Sequence, residues 1–259
     1  MKKIVILLIA ILPLIGTTAM AQNGRDLEDD GLVGNVKRID AKMFEVSYDR
    51  HDNLVVGEQL EHLLTEYNAK GQRRSMTYMS VAEDIIFRTR YKHDGFGLTT
   101  LEHVVDNQEQ VIGRTYYVYN SNLVLTEIYV EDVERQVESR LLIKRDATGR
   151  ITQRSYNDQF NDVYKREVYT YNPTGDVAKA VIYDRSKAKI QERRYEYDEN
   201  RQPVSYTLFD YTEDEPEVFV TLFEYEYDAY GNWIRRTEYN LNGDRKEPVY
   251  TTQRTIEYF

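Results

Sequence analysis

The 259-residue sequence contains no cysteine. That excludes a disulfide framework, thiolate metal sites and lipid attachment through a cysteine. Histidine is nearly as scarce, with His51, His62, His93 and His103 the only four, and none has the spacing of a metal-ligand pair. We read them as solvated, with His51 and His93 in turns. No Gly-x-Ser-x-Gly elbow, phosphate-cradling glycine loop or His-Glu-x-x-His is present, so no common catalytic motif is legible. Acidic stretches such as 210–217 lack the ligand order of a calcium loop, with its glycine at the sixth of twelve places. Neither a catalytic residue nor a cofactor or metal site is expected, and the sequence reads as that of a non-enzyme. Close carboxylate pairs are abundant, but 44 acidic residues make them by accident.

Long apolar runs are also absent after the first residues. Lys2 and Lys3 followed by the apolar stretch Ile4 to Ile15 read as the start of a secretory signal. The run is too short for the roughly 20 residues of a spanning helix. Ala19-Met20-Ala21 supplies the small residues of a cleavage site, so a cut before Gln22 is expected and 1–21 is assigned as the signal peptide. Residues 22–31 are polar and acidic and read as a flexible leader, leaving 32–259 as one domain. Losing two lysines would take the net charge from −10 to −12. Such a charge repels phosphate backbones, so nucleic acid is not an expected partner. The compartment implied is exported, either periplasm or cell surface, without a lipid anchor.

Tyrosine is what the chain has in excess, 23 against 8 phenylalanines and a single tryptophan. Much of it recurs in one pattern: Tyr, then Asn or Asp, then Gly four places after the Tyr. Full copies are Tyr67 to Gly71, Tyr171 to Gly175, Tyr227 to Gly231 and Tyr239 to Gly243. Degenerate copies are Tyr48-Asp49, Tyr91-Lys92 with Gly95, Tyr119-Asn120, Arg145-Asp146 with Gly149, and Tyr197-Asp198. An Asx side chain caps its own backbone two residues on, and Gly supplies the left-handed residue that closes a hairpin loop. A second Tyr two places earlier, as in Tyr225/Tyr227, gives the period of a strand. Starts at 67, 91, 119, 145, 171, 197 and 227 are 24, 28, 26, 26, 26 and 30 apart. That step fits a β-hairpin. Intervening turns fall near 157–161, 184–187 and 213–217. The fold expected is all-β, an antiparallel meander of repeated β-hairpins with about 15 strands in one long curled sheet. Only 58–67, with Leu60, Leu63, Leu64 and Tyr67, also fits a helix face.

Tyr227-Asp-Ala-Tyr-Gly-Asn232 resembles the YD repeat of RHS and teneurin-like proteins. The closing stretch from Tyr225 to Tyr239 and on to Phe259, with the opening Gly34-Asn-Val-Lys-Arg38, is similar to small exported YD-like proteins of unknown function. The resemblance implies a hairpin-repeat fold over nearly the whole chain and, since YD-type proteins are described as sugar-binding, a carbohydrate ligand. The period departs from the RHS pattern, being nearer 26 than about 20 residues.

The aromatic rows allow two uses. They can pack across strands as architecture, or stack on sugar rings. In 219–227 one face carries Phe219, Thr221, Phe223, Tyr225 and Tyr227, too apolar to lie in water along a whole sheet. Burial of Tyr169, Tyr195 and Tyr225 is therefore expected. Trp233, Tyr225 and Tyr227 are the candidate ligand-binding residues. The functional reading is an exported, non-catalytic binding or scaffold module of the envelope, its partner a glycan or an envelope protein. Two alternatives stand beside it. One is an outer-membrane β-barrel, suggested by the meander and by Phe259, although Glu257, Thr255 and Gln253 are polar where such a barrel faces lipid. The other is a hydrolase with an unrecognised site.

Overall fold

The computed structural model describes residues 26–213 and 215–259. The expected signal segment lies outside them. A short helix, α1 (Asp26–Asp29), precedes β1 (Val36–Tyr48), β2 (Leu54–Tyr67), β3 (Arg73–Met79), β4 (Ile85–His93), β5 (Thr99–Asp106), β6 (Val111–Tyr119), β7 (Leu125–Glu131) and β8 (Val137–Arg145). The chain continues through β9 (Ile151–Asp158), β10 (Val163–Tyr171), β11 (Val177–Asp184), β12 (Lys189–Tyr197), β13 (Pro203–Asp210), β14 (Glu217–Tyr227), β15 (Trp233–Asn242) and β16 (Arg245–Tyr258). Each strand pairs antiparallel with the next, and β1 pairs with β16 from Val36↔Tyr258 to Glu45↔Tyr250. The sheet is therefore a closed barrel of 16 strands. This corrects the expectation of an open curled sheet: closure satisfies the two edges that a free meander would leave bare. The stretch 58–67, ambiguous in sequence, is strand.

The turns explain the meander. In thirteen of them, among the described residues, the first residue's N–H donates to the carbonyl four places on, and the fourth residue's N–H donates back. In the 172–176 turn these bonds are 2.9 and 3.0 Å, and Asn172 Oδ1 also accepts from Asp176 N at 2.8 Å. Every first residue but Ser80 is Asp or Asn. The fourth residue is left-handed, including Gly71, Gly149, Gly175 and Gly231 at φ 76°, 88°, 88° and 85°, as the motif requires.

Four details need correction. The second motif copy is His93-Asp94 with Gly97, not Tyr91-Lys92 with Gly95, so the left-handed residues 71, 97, 123, 149, 175 and 201 all step by 26. Tyr239 to Gly243 is not a copy, because β15 runs through to Asn242 and turns at Gly243. His93 ends β4 rather than lying in a turn, and His62 is buried against Asp40 at 2.9 Å, so neither is a solvated histidine. The leader is not loose from Asp26 onward. Asp26 is buried and accepts from Arg73 N at 2.6 Å and Thr99 Oγ1 at 2.9 Å, with the His93 ring at 2.7 Å.

Alternation gives the barrel two unlike walls. One face carries Tyr117, Tyr119, Tyr169, Tyr171 and Tyr195 with Leu125, Ile128, Ile143, Ile151, Val177 and Ala180 in one cluster. This is the inner wall, because the short α1 and its flank touch Tyr67, Arg73, His93 and Thr99 from four successive strands, which only the concave side can bring together. Tyr169 is buried there, and Tyr195 and Tyr225 are half-buried. The convex wall carries more exposed ion pairs, such as Arg140–Glu127 at 2.5 Å and Arg235–Glu226 at 2.8 Å.

Candidate functional site

The seven turns 68–72, 94–98, 120–124, 146–150, 172–176, 198–202 and 228–232 share one end of the barrel with α1, here the tyrosine rim. Tyrosines before these turns reach inward over the preceding hairpin. Tyr119, Tyr171 and Tyr197 donate their hydroxyls to the carbonyls of Thr99, Ile151 and Val177, each 20 residues back, at 2.7, 2.5 and 3.0 Å. Tyr67 and His93, at the same place in the first two copies, find their partners in α1 and its flank: Tyr67 donates to Asp30, and His93 meets Asp26. The short helix thus stands in for a missing repeat. Burial by itself would raise the Asp26 carboxyl, but the His93 and Arg73 contacts win and hold it below the usual range.

Behind this rim the inner wall is a layer of charges and phenols. Glu167 accepts from Tyr156 at 3.0 Å and from Tyr169, with Lys165 at 3.1 Å. Tyr117 donates to Glu102. Arg154 lies over the Tyr169 ring at 5.6 Å. Each of these charges has an opposite charge, a phenol or a ring beside it, as burial away from water demands.

The three candidate residues meet on this wall. Trp233 begins β15, pairs with Tyr227 and is 9% exposed. The Arg254 guanidinium sits 3.2 Å from its ring centre, and Tyr225 lies edge-on at 6.3 Å. Tyr225 and Tyr227 are 6.0 Å apart. Their hydroxyls donate to Pro203 O at 2.9 Å and Asp198 Oδ2 at 3.1 Å. The cluster points into the barrel, with both hydroxyls engaged by the wall itself. Among the described residues no group of three His, Cys, Asp or Glu is placed to hold a metal ion.

The feature that sequence reasoning missed is on the outside. Arg90, Arg114, Arg140, Arg166 and Arg194 fall near the middle of β4, β6, β8, β10 and β12, on the convex face. They form a belt of arginines at mid-height. Arg90 pairs with Glu109, Arg140 with Glu127, and Arg194 with Glu192 at 2.7 Å. The repeat step of 114, 140 and 166 is visible in the sequence; its meaning depends on knowing which face is convex. Glu257 and Gln253 also face outward, paired with Arg38 and Lys42.

No protein-family model matches the chain, and neither does any curated protein. Among solved structures, the crystal structure of a porin-like protein from Bacteroides uniformis is similar, with TM-score 0.56 and 10% identity over 87% of this chain and 99% of that one. The crystal structure of TcdB2-TccC3-Cdc42 matches with TM-score 0.30 and 14% identity, over 81% of this chain and 13% of that chain. That of TcdB2-TccC3 gives 0.32 and 9%, over 77% and 14%. The first likeness is one of fold. With the closed ring of 16 strands, it backs the β-barrel alternative read from the sequence better than the binding or scaffold module.

Proposed function

We propose that this protein is a non-catalytic β-barrel of the cell envelope, exported by its N-terminal segment, whose barrel is a rigid body that presents its rims to partners. The observation that carries it is closure: 16 strands in a ring, with a porin-like fold neighbour matched over nearly its whole length. Kinship with YD-repeat proteins belongs to the same proposal and rests on the Tyr-Asx-x-x-Gly turns.

The walls bear on how such a barrel sits. A lipid-embedded barrel carries an apolar band outside and polar groups within. Here the mid-height belt is arginine, and the aliphatic cluster lies on the inner wall. An Arg at a bilayer midplane costs about 2–4 kcal/mol, so the belt opposes hydrocarbon around the waist. We therefore read the barrel as peripheral, its wall in water. Fold likeness to a porin-like protein favours the second reading, a barrel inserted in the outer membrane.

Fractionation separates the two. The peripheral reading expects the mature protein in the soluble envelope fraction, or released from membranes by urea without detergent. Retention after a urea wash, with a mobility change on boiling in detergent, would overturn it in favour of insertion. A glycan array on the purified barrel addresses the sugar partner. Weaker glycan binding by Trp233→Ala at unchanged melting temperature would assign the Trp233, Tyr225 and Tyr227 cluster to it.

A further inference from the structure

A closed barrel hides its strand edges, yet β2 keeps a long one bare. β2 is 14 residues long and β3 only 7, and their pairing starts at His62↔Met79. Among the described residues, Leu54 to Glu61 therefore has β1 on one side and no strand on the other. The β1–β2 hairpin also parts from β16 beyond Glu45↔Tyr250, close to Pro248, which has no N–H to give. What projects past the rim opposite the tyrosine rim is a two-stranded ribbon with a bare outer edge, about 26 Å long at strand rise. Its side chains are exposed: Leu54, Val55, Val56 and Leu60 show 39%, 45%, 46% and 37% of their surface.

We infer that the Leu54–Glu61 edge of β2 is a docking site for an extended, basic segment of another protein, which adds to it as an antiparallel strand. An edge offers alternating N–H and C=O groups, and an extended backbone is the partner that satisfies both in register. The apolar side chains on either side of that row give such a strand something to cover. Charge fixes the sign of the partner. The ribbon from Tyr48 to Glu61 carries Asp49, Asp52, Glu58 and Glu61 against the single cation Arg50, in a chain of net charge −10. The same acids argue against a second copy as occupant, since edge-to-edge pairing of two copies would bring their edge glutamates together. The site is independent of whether the barrel is peripheral or inserted.

The test titrates the mature barrel with blocked heptapeptides alternating Lys and Val, Glu and Val, or Lys and Val with every backbone nitrogen methylated, so that neither edge can donate. The Lys–Val peptide should bind at least tenfold more tightly than either control, because one control has the wrong charge and the other cannot complete the ladder. E58K/E61K, a charge reversal at exposed Glu58 and half-buried Glu61, should lower Lys–Val affinity about tenfold and raise that for Glu–Val. Equal binding of the N-methylated peptide, indifference to E58K/E61K, or a concentration-dependent dimer by light scattering with no peptide binding would each overturn the inference.

Discussion

The two rims of the barrel are built on the same turn and differ in almost everything around it. At the tyrosine rim five of the seven left-handed positions are glycine, with Leu123 and Arg201 the exceptions. At the opposite rim the equivalents are Asp52, Glu83, Glu109, Arg135, Asn161 and Lys187, none of them glycine. Both sets close with the same two backbone bonds and an Asx or Ser cap. The cap is therefore what makes the turn, and glycine only relieves strain at the fourth place. Tyrosine follows the glycine rim because that end holds the buried layer and α1, whereas the other end opens into the projecting ribbon. Stability should be unevenly divided between the rims, and matched substitutions can measure the imbalance.

The largest difference should come from two tyrosines on β10. Tyr169, toward the tyrosine rim, is buried, bonded to Glu167 and covered by Arg154. Tyr164, near the other rim, is 37% exposed. Tyr169→Ala should cost about 3 kcal/mol, the scale of a buried aromatic truncation. Tyr164→Ala should cost about 0.5 kcal/mol, as surface changes do. Equal losses in urea unfolding would show that the rims share one level of packing. Next in size is Asp26→Ala, which strips the acceptor from Arg73 N, Thr99 Oγ1 and the His93 ring. We expect a loss of about 2 kcal/mol, the cost of leaving buried donors unmade. A variant as stable as the parent would mean that α1 does not replace a repeat.

A reciprocal exchange tests whether glycine merely relieves strain. Gly175 has φ 88° with nothing within 4 Å of where a Cβ would stand, so Gly175→Ala should cost about 1 kcal/mol through backbone conformation alone. Lys187 has φ 71° at the other rim, and Lys187→Gly should gain roughly 0.5 kcal/mol, the relieved strain less the added chain entropy. If both changes destabilise alike, the left-handed place at the second rim is held by contacts that the lysine makes.

These contrasts also show what the sequence could reveal. The tyrosine rim was legible because Tyr, Asx and Gly coincide there, and each has a local reason to be where it is. The opposite rim was only half legible, since Asp106, Asp132 and Asp158 carry the cap without either companion. His93 in the tyrosine place was missed for the same cause: its role is set by Asp26, 67 residues away. Closure was not legible at all. It depends on β1 meeting β16, a pairing of distant strands that no local pattern encodes. The candidate cluster was found through its aromatic alternation, but its inward direction and the Arg254–Trp233 stack follow from curvature.

The smallest contrast expected is in acid. Caps at the tyrosine rim include Asn68, Asn120 and Asn172, which do not titrate. Those at the other rim are carboxylates apart from Ser80. Four carboxyls at that rim lie below the usual range. Asp49 and Asp158 are lowered first by the N–H groups of Asn53 and Asp162, and Asp184 and Asp210 by the hydroxyls of Ser186 and Thr212. At the tyrosine rim Asp146 is the cap lowered in this way, chiefly by Thr148. A carboxyl whose folded pKa is depressed stabilises the fold above its unfolded value, near 3.9, and that contribution is lost as pH falls through the folded value. These caps should change nothing between pH 7 and about 5. Below about pH 4 the second rim should open first, because more of its caps protonate. Brief pepsin digestion at about pH 3 should then cut at 158–162 and 184–188 before 120–124 or 172–176. Asn keeps an oxygen acceptor and cannot protonate in this range, so D49N/D158N/D184N/D210N should move the acid-unfolding midpoint to lower pH. First cuts at the tyrosine rim, or an unmoved midpoint, would show that the caps do not set the order in which the barrel opens.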